Sequence, residues 1–357
     1  MTYPHLLAAF LALFTSLGMF GVPPALAALP PGNAITDPVT ILRNALPIEQ
    51  PELQDLQHLL ETTSLDMRAK RWGALKKTVS RSEALLNNNR SMILDSIPET
   101  KRDQAADLLD SVGEQLVLLS DEVTQQNKEG FIGIRQKTLN EIENVETLLL
   151  GDFPFSIPEE FDALPRLLGR ATVQINTSQG SIKAIIDGYN APLTGGAFVD
   201  LALKGFYDGL PFNRAEDFYV LQSGDPEGPE IGYVDKKTGK ERHVPLEIMV
   251  PGESEPFYNE TFEDLGLFKA TPVLPFATLG TLGWAHSDQA VDDGSSQFFL
   301  FLYEPELTPA GLNLVDGRNA AFGYVVEGFS ELEALGVNDR ILSIKVTDGA
   351  NRLKSHA

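Results

Sequence analysis

The chain has 357 residues, with 28 Lys and Arg against 50 Asp and Glu, and no cysteine. Its length fits about two domains at roughly 150 residues each, and 43% hydrophobic with 22% charged residues excludes wholesale disorder. A formal charge of −22 excludes general nucleic-acid binding, which needs Lys and Arg to neutralise phosphates, while the missing cysteines remove thiol nucleophiles, Cys-ligated zinc and disulfides.

Residues 6 to 22 carry no charge, Pro23-Pro24 break the run, and Ala25-Leu26-Ala27 has the small-x-small form that a signal peptidase accepts. This predicts a cleaved export signal over 1–27, with mature protein from near Ala28. The run falls slightly short of the ~20 apolar residues that span a bilayer. No later segment is apolar for long enough, so no stable transmembrane segment is expected after cleavage. There is no twin-arginine pair and no Arg- and Ser-rich transit peptide, which points to unfolded export and a bacterial-type precursor.

From 37 to 150 the apolar residues recur at helical spacing. Leu53, Leu56, Leu59 and Leu60 open one stripe; Leu108, Leu109, Val112, Leu116, Leu119 and Val123 hold a second; Leu139, Ile142, Val145 and Leu149 hold a third. Ser96-Ile97-Pro98-Glu99 has the form of a capping box and predicts a helix start. Asn87-Asn88-Asn89 reads equally as a helix break or an exposed face. The expectation is a bundle of three to five helices whose core is the leucine stripes.

Prolines and glycine in Gly151-Asp-Phe-Pro-Phe-Ser-Ile-Pro158 end that pattern, so 151–169 reads as a linker. Ala171–Asn176 and Ser181–Ile186 flank the turn residues Ser178-Gln179-Gly180 and predict a β-hairpin. Phe218–Leu221, Phe298–Leu302, Phe322–Val326 and Ile341–Ile344 are further short apolar runs between turns, and Gly196–Lys204 is the strongly helical stretch among them. This is the grammar of a barrel or sandwich. The acidic excess is concentrated here: residues 151–357 hold 31 acidic and 15 basic groups.

The five histidines, His5, His58, His243, His286 and His356, are dispersed. They give little material for a multi-histidine metal site or a Ser–His–Asp triad. Asp292-Asp293 reads as a solvated turn, and neither a phosphate loop nor a nucleotide fingerprint occurs, so no metal and no cofactor are expected. Four blocks remain in order: Phe212-Asn213-Arg214, Gln222-Ser223-Gly224-Asp225, Gly294-Ser295-Ser296-Gln297-Phe298-Phe299, and Asp316-Gly317-Arg318-Asn319 leading to Phe322-Gly323. Together they resemble the cyclophilin family, with its Phe-x-Arg, Gln-Gly-Gly-Asp, Gly-Ser-Gln-Phe-Phe and Asp-Gly-x-x-x-x-Phe-Gly, over about 170–350. The eight-residue spacing from Arg214 to Gln222 also fits.

The resemblance implies a closed eight-stranded antiparallel β-barrel capped by two helices, following the all-α bundle in a multidomain α + β chain. It implies a peptidyl-prolyl cis–trans isomerase acting on proline-containing peptide loops. Arg214 would be the catalytic cation and Gln222 a partner for the peptide backbone. Phe212, Tyr219, Val220, Phe299 and Val315 would line the proline pocket, Ala285 and His286 would pair with substrate backbone, and Leu314 and Asn319 would sit at the rim. Departures cluster at the groove: Tyr219, Val220, Ser223, His286, Leu314 and Asn319 stand where the family commonly has Phe, Met, Gly, Asn, Trp and His. Leu314 removes an aromatic face and an N–H donor, which implies poor binding of cyclosporin-type ligands. His286 reads equally as a substrate contact or as a partly buried histidine with a structural hydrogen bond. Between Asp225 and Trp284 the chain runs roughly twenty-five residues longer than a minimal cyclophilin, and a loop of that length is usually functional or a lid.

An exported cyclophilin with an N-terminal bundle and Val244-Pro-Leu-Glu-Ile-Met-Val250 also resembles the forty-kilodalton thylakoid-lumen cyclophilins. That resemblance implies assistance to photosystem II assembly, contact with its subunits, and a bundle folded back on the cyclophilin domain. It implies a thylakoid-lumen location, with the periplasm as the alternative. Two other readings stand beside the enzyme: a proline-loop-binding assembly chaperone with weak or no turnover, and a bundle that binds a photosynthetic complex or covers the groove.

Overall fold

The computed structural model describes residues 35–150, 153–216, 219–303 and 315–355; the expected export signal and Leu314 lie outside them. Helix α1 (Pro38–Asn44) starts where Asp37 accepts the Thr40 amide at 2.9 Å and Pro38 fills a first-turn position whose N–H would lack a partner. Helix α2 (Pro51–Arg68) opens alike, with Gln50 Oε1 accepting the Leu53 amide at 2.7 Å. Helices α3 (Trp72–Ser96), α4 (Arg102–Gln125) and α5 (Lys128–Leu149) follow. Gln126 takes the left-handed conformation (φ 56°) after α4, and Asn127 Oδ1 then caps α5 through the Gly130 amide. Leu53, Leu56 and Leu60 pack against Val79, Leu86, Leu109, Val112, Leu116, Ile142 and Val145 in one buried core, so the stripes close on each other.

The expected helix start at Ser96 is corrected. Ser96 is the last residue of α3, and its hydroxyl donates back to the Ile93 carbonyl at 2.6 Å instead of capping forward. Pro98 disfavours helical backbone at Ile97, and a 3₁₀ turn over Glu99–Lys101 leads into α4. Helix α3 runs unbroken through Asn87-Asn88-Asn89; Asn87 and Asn88 are exposed and Asn89 donates to the Leu85 carbonyl, so the tract is a solvated face.

The second half contains β1 (Arg166–Leu167), β2 (Arg170–Thr177), β3 (Gly180–Asp187), α6 (Pro192–Leu203), β4 (Arg214–Glu216), β5 (Val220–Ser223), β6 (Glu247–Ile248) and β7 (Phe257–Tyr258). After these come β8 (Thr281–Trp284), β9 (Phe298–Phe301), β10 (Ala321–Glu327), α7 (Phe329–Glu333), β11 (Ile341–Asp348) and β12 (Leu353–Lys354). Eight strands form one antiparallel sheet in the order β11-β2-β3-β10-β8-β9-β5-β4. The predicted hairpin is β2–β3, paired from Arg170↔Asp187 to Thr177↔Gly180, with Gly180 supplying the positive φ of the turn.

The expected closed barrel is corrected to an open, curled sheet with β11 and β4 as its edges. At the seam the chain before β4 meets the start of β11 through an isolated Pro211↔Arg340 bridge and through the Phe212 and Gly209 amides, which donate to the Asp339 and Ile341 carbonyls at 2.8 and 2.7 Å. Pro211 has no N–H to donate, which interrupts a ladder at that point.

Inside the curl, Phe198 of α6 meets Phe298, Tyr207 and Phe322 at centroid distances of 5.1 to 5.2 Å. Leu332 of α7 joins the same core, as do Ile41, Leu42 and Ala45 of α1. The helices meet the sheet through charge as well. Arg170 of β2 pairs with Asp187 (Nε–Oδ2 2.9 Å) and with Glu143 of α5 (Nη1–Oε1 3.1 Å), and donates to the Leu42 carbonyl. Arg43 pairs with Glu61 and Glu143, and Asn190 Nδ2 donates to the Ala45 carbonyl at 2.8 Å. None of the described helices is long and apolar enough to cross a membrane.

Candidate active site

Strand register brings distant blocks into one row. Arg214 of β4 pairs with Gln222 of β5, Gln222 with Phe299 of β9, and Phe299 with Gly283 of β8. Directly paired residues share a face of a sheet, so a cation, an amide and an aromatic ring from three strands line up over a glycine. Gly283 has a specific reason to be glycine: a Cβ there would overlap the Phe299 ring.

The polar end of the row is a connected network. Arg214 Nη1 lies 3.4 Å from Gln222 Oε1, and Gln222 Nε2 donates to Gln297 Oε1 at 2.7 Å. Gln297 Nε2 in turn donates to the Ile231 carbonyl at 2.8 Å and to Asp225 Oδ1 at 3.2 Å; Asn213 Nδ2 holds the other Asp225 oxygen. Ser223 Oγ donates to the Pro211 carbonyl and Ser296 Oγ to the Gly224 carbonyl, which pins the loop between the two motifs. Gly224 approaches the Ser296 backbone so closely that a Cβ would overlap it.

The apolar end is uneven. Phe212 is wholly enclosed, and Val220, Phe299 and Val315 are buried with narrow exposed edges, whereas Tyr219 is 41% exposed and sets its ring edge-on to Phe301. Ala285 continues from β8, its amide donating to the Gln297 carbonyl. His286 bridges two loops: Nδ1 lies 2.8 Å from the Ser287 carbonyl and Nε2 2.8 Å from the Arg318 carbonyl. A neutral ring has one N–H and donates to one of them. Asn319 Nδ2 donates to the Trp284 carbonyl and lines a small cavity with Asn190, Glu247 and Met249.

The long segment between Asp225 and Trp284 is sewn into the sheet. Glu247 of β6 is buried and accepts the Leu193 and Thr194 amides at the start of α6, at 3.0 to 3.2 Å. Burial pushes its carboxyl up to about 7, against the pull of those amide donors. Phe262 covers Gly317, where a Cβ would overlap the ring, and the Phe276 amide donates to Asp316 Oδ1 at 2.8 Å. The Phe276 ring stacks on Phe299, so the segment backs the site.

Three residues of this constellation carry no role in the sequence reading. Gln297 lies inside a recognised block, yet its tie to Gln222 depends on β5–β9 register. Glu216 stands two residues after Arg214, a spacing that places both on one face once the segment is known to be a strand. Phe276 gives no local signal. Chemically, the row offers fixed N–H donors beside a small apolar patch, with no nucleophile needed.

A curled antiparallel sheet packed by two helices, carrying Phe-x-Arg, Gln-x-Gly-Asp and Gln-Phe-Phe on adjoining strands, is cyclophilin architecture. The chain belongs to the family of cyclophilin type peptidyl-prolyl cis-trans isomerases, whose model matches residues 172–350. Residues 37–150 match the PsbQ-like domain of CYP38-like peptidyl-prolyl cis-trans isomerases. A thylakoid lumen peptidyl-prolyl cis-trans isomerase of Synechocystis sp., sll0408, is 47% identical over 331 residues, covering 93% of this chain and 87% of that one. The chloroplastic isomerase CYP38 of Arabidopsis thaliana is 39% identical over 344 residues, covering 92% and 78%. The chain groups with these thylakoid-lumen and chloroplastic isomerases.

Proposed function

We propose that the chain isomerises X–Pro bonds with Arg214 as the catalytic cation, and that its clients are proline-containing loops of photosystem II subunits during assembly. The observation that carries the first part is the Arg214–Gln222–Phe299 row. An X–Pro amide is held planar by a barrier of ~18–20 kcal/mol, and uncatalysed exchange takes tens of seconds or more. Twisting returns a lone pair to the prolyl nitrogen, so a group that binds the twisted amide better than either planar form is a sufficient catalyst. A guanidinium suits this, because it stays protonated and presents a rigid fork of donors. In this reading Gln222, held by Gln297, takes the flanking peptide backbone, and the edges of Phe299, Val220 and Val315 receive the proline ring. The client assignment draws on the PsbQ-like domain and the lumen relatives.

The test is cis-to-trans conversion of an Ala-Pro peptide by the intact mature protein and by Arg214→Ala, with an expected drop of about a hundredfold. Equal rates overturn the catalytic role. A second reading, a proline-loop chaperone with little turnover, is favoured by the ion pair between Arg214 and Glu216. It predicts that capture of photosystem II loops survives Arg214→Ala and weakens in Phe299→Ala.

A further inference from the structure

Arg214 and Glu216 stand two residues apart on β4, on the face that carries Gln222 and Phe299. One carboxylate oxygen of Glu216 accepts from Arg214 Nε at 2.7 Å and lies 2.5 Å from Nη2. Nη1 is left facing Gln222. A hydrogen bond between two charged partners is about twice as strong as one between neutral groups. The prolyl nitrogen of a twisting amide is a neutral acceptor, so it competes for Arg214 at a disadvantage. Yet the pair is open to solvent, with side chains 51% and 49% exposed, and an exposed ion pair is weak enough to exchange partners. The partner that draws Glu216 away most directly is another cation.

From this geometry we infer that Glu216 is a positioning residue that withholds Arg214 from neutral peptides and releases it to peptides bearing Lys or Arg beside the proline. The substrate class is thus cationic proline-containing segments, which also suits a domain with twice as many acidic as basic groups. The inference rests on the isomerase reading above.

The experiment compares the full mature chain, Glu216→Gln, Arg214→Ala and the double variant on two peptides that differ in Ala or Lys before the proline. The native chain is expected to favour the Lys peptide in kcat/KM by roughly two- to fivefold, the range an exposed ion pair allows, and to lose that preference in high salt. Glu216→Gln should raise kcat on the Ala peptide by a similar factor and abolish the Lys preference, and the double variant should fall to the Arg214→Ala level. In NMR spectra the Arg214 Nε–H resonance, assigned by its loss in Arg214→Ala, should move upfield in Glu216→Gln as the carboxylate acceptor disappears. The inference is overturned if Glu216→Gln leaves the Ala-peptide rate and the Lys preference unchanged while Arg214→Ala still abolishes turnover. If Arg214→Ala, Glu216→Gln and the native chain all match on both peptides, the isomerase reading fails and takes the inference with it.

Discussion

Phe276 lies face to face with Phe299, their ring centroids 5.6 Å apart and their planes 14° from parallel. One ring belongs to the long segment before β8 and the other to the candidate proline patch, so the segment fixes the patch. Phe276→Ala opens a cavity in a fully buried position and is expected to cost about 3–5 kcal/mol in urea unfolding. Phe276→Leu keeps the apolar contact, should cost less than about 1.5 kcal/mol, and loses the stacked face. In that milder variant KM for a proline peptide should rise several-fold with kcat nearly unchanged; a fall in kcat alone would contradict a backing role.

Gly283 is expected to tolerate no side chain. In Gly283→Ala the new methyl overlaps the Phe299 ring, which has Phe276 behind it and cannot swing away. The overpacking should cost about 1–3 kcal/mol in thermal unfolding and depress peptide turnover. Because the clash is with one ring, Gly283→Ala combined with Phe299→Leu should be less destabilised than the two single effects added.

Gln297 holds Gln222 with one end of its amide and the Ile231 and Asp225 oxygens with the other. Gln297→Leu leaves these groups without that partner and should lower stability by about 1–3 kcal/mol. Gln222 is then free to rotate, so KM for a proline peptide should rise more than kcat falls. Gln297→Glu retains acceptors but loses the donor to Ile231, and should restore stability only in part.

Glu146 on α5 is buried, and among the described residues neither carboxylate oxygen meets a hydrogen-bond donor. Burial pushes its pKa up to about 9, with Arg43 and Arg170 pulling it down and Glu143 and Glu61 adding to the rise. Between the unfolded carboxyl value near 4.5 and about 9, the folded protein holds a proton that the unfolded chain releases. Stability from this group is therefore complete at acid pH and falls as pH rises through that window. Glu146→Gln keeps the shape without the titration, so its advantage should be near zero at pH 4.5 and grow to roughly 4–5 kcal/mol near pH 8 in paired urea titrations. A difference independent of pH would contradict a protonated Glu146.

What the sequence made legible was local. The β2–β3 hairpin and the stripes of α4 and α5 follow from residue period, and Arg214, Gln222 and Phe299 stand in short blocks whose residue types match their chemistry. The failures all turn on structural context that residue identity in a short window does not display. Ser96 has a cap's identity, but Pro98 and the preceding helix decide its use. Closure of the sheet turned on Pro211 meeting Arg340, which no local pattern displays. Phe276 looks like any loop aromatic until β8 and β9 pair, and the grip of Glu216 on Arg214 requires β4 to be a strand of known phase.

Helix α1 has a consequence for how the chain comes to its final form. It precedes the bundle in sequence, yet Ile41, Leu42 and Ala45 are buried with the sheet, whose strands begin more than a hundred residues later. Helices α2 to α5 contact their neighbours in sequence and can gather early, whereas α1, although Arg43 pairs with Glu61 and Glu143, buries its apolar residues against the sheet, with β10 among its contacts. The apolar seating of α1 therefore needs the sheet already in place, and it ties the start of the described chain to strands that are synthesised last.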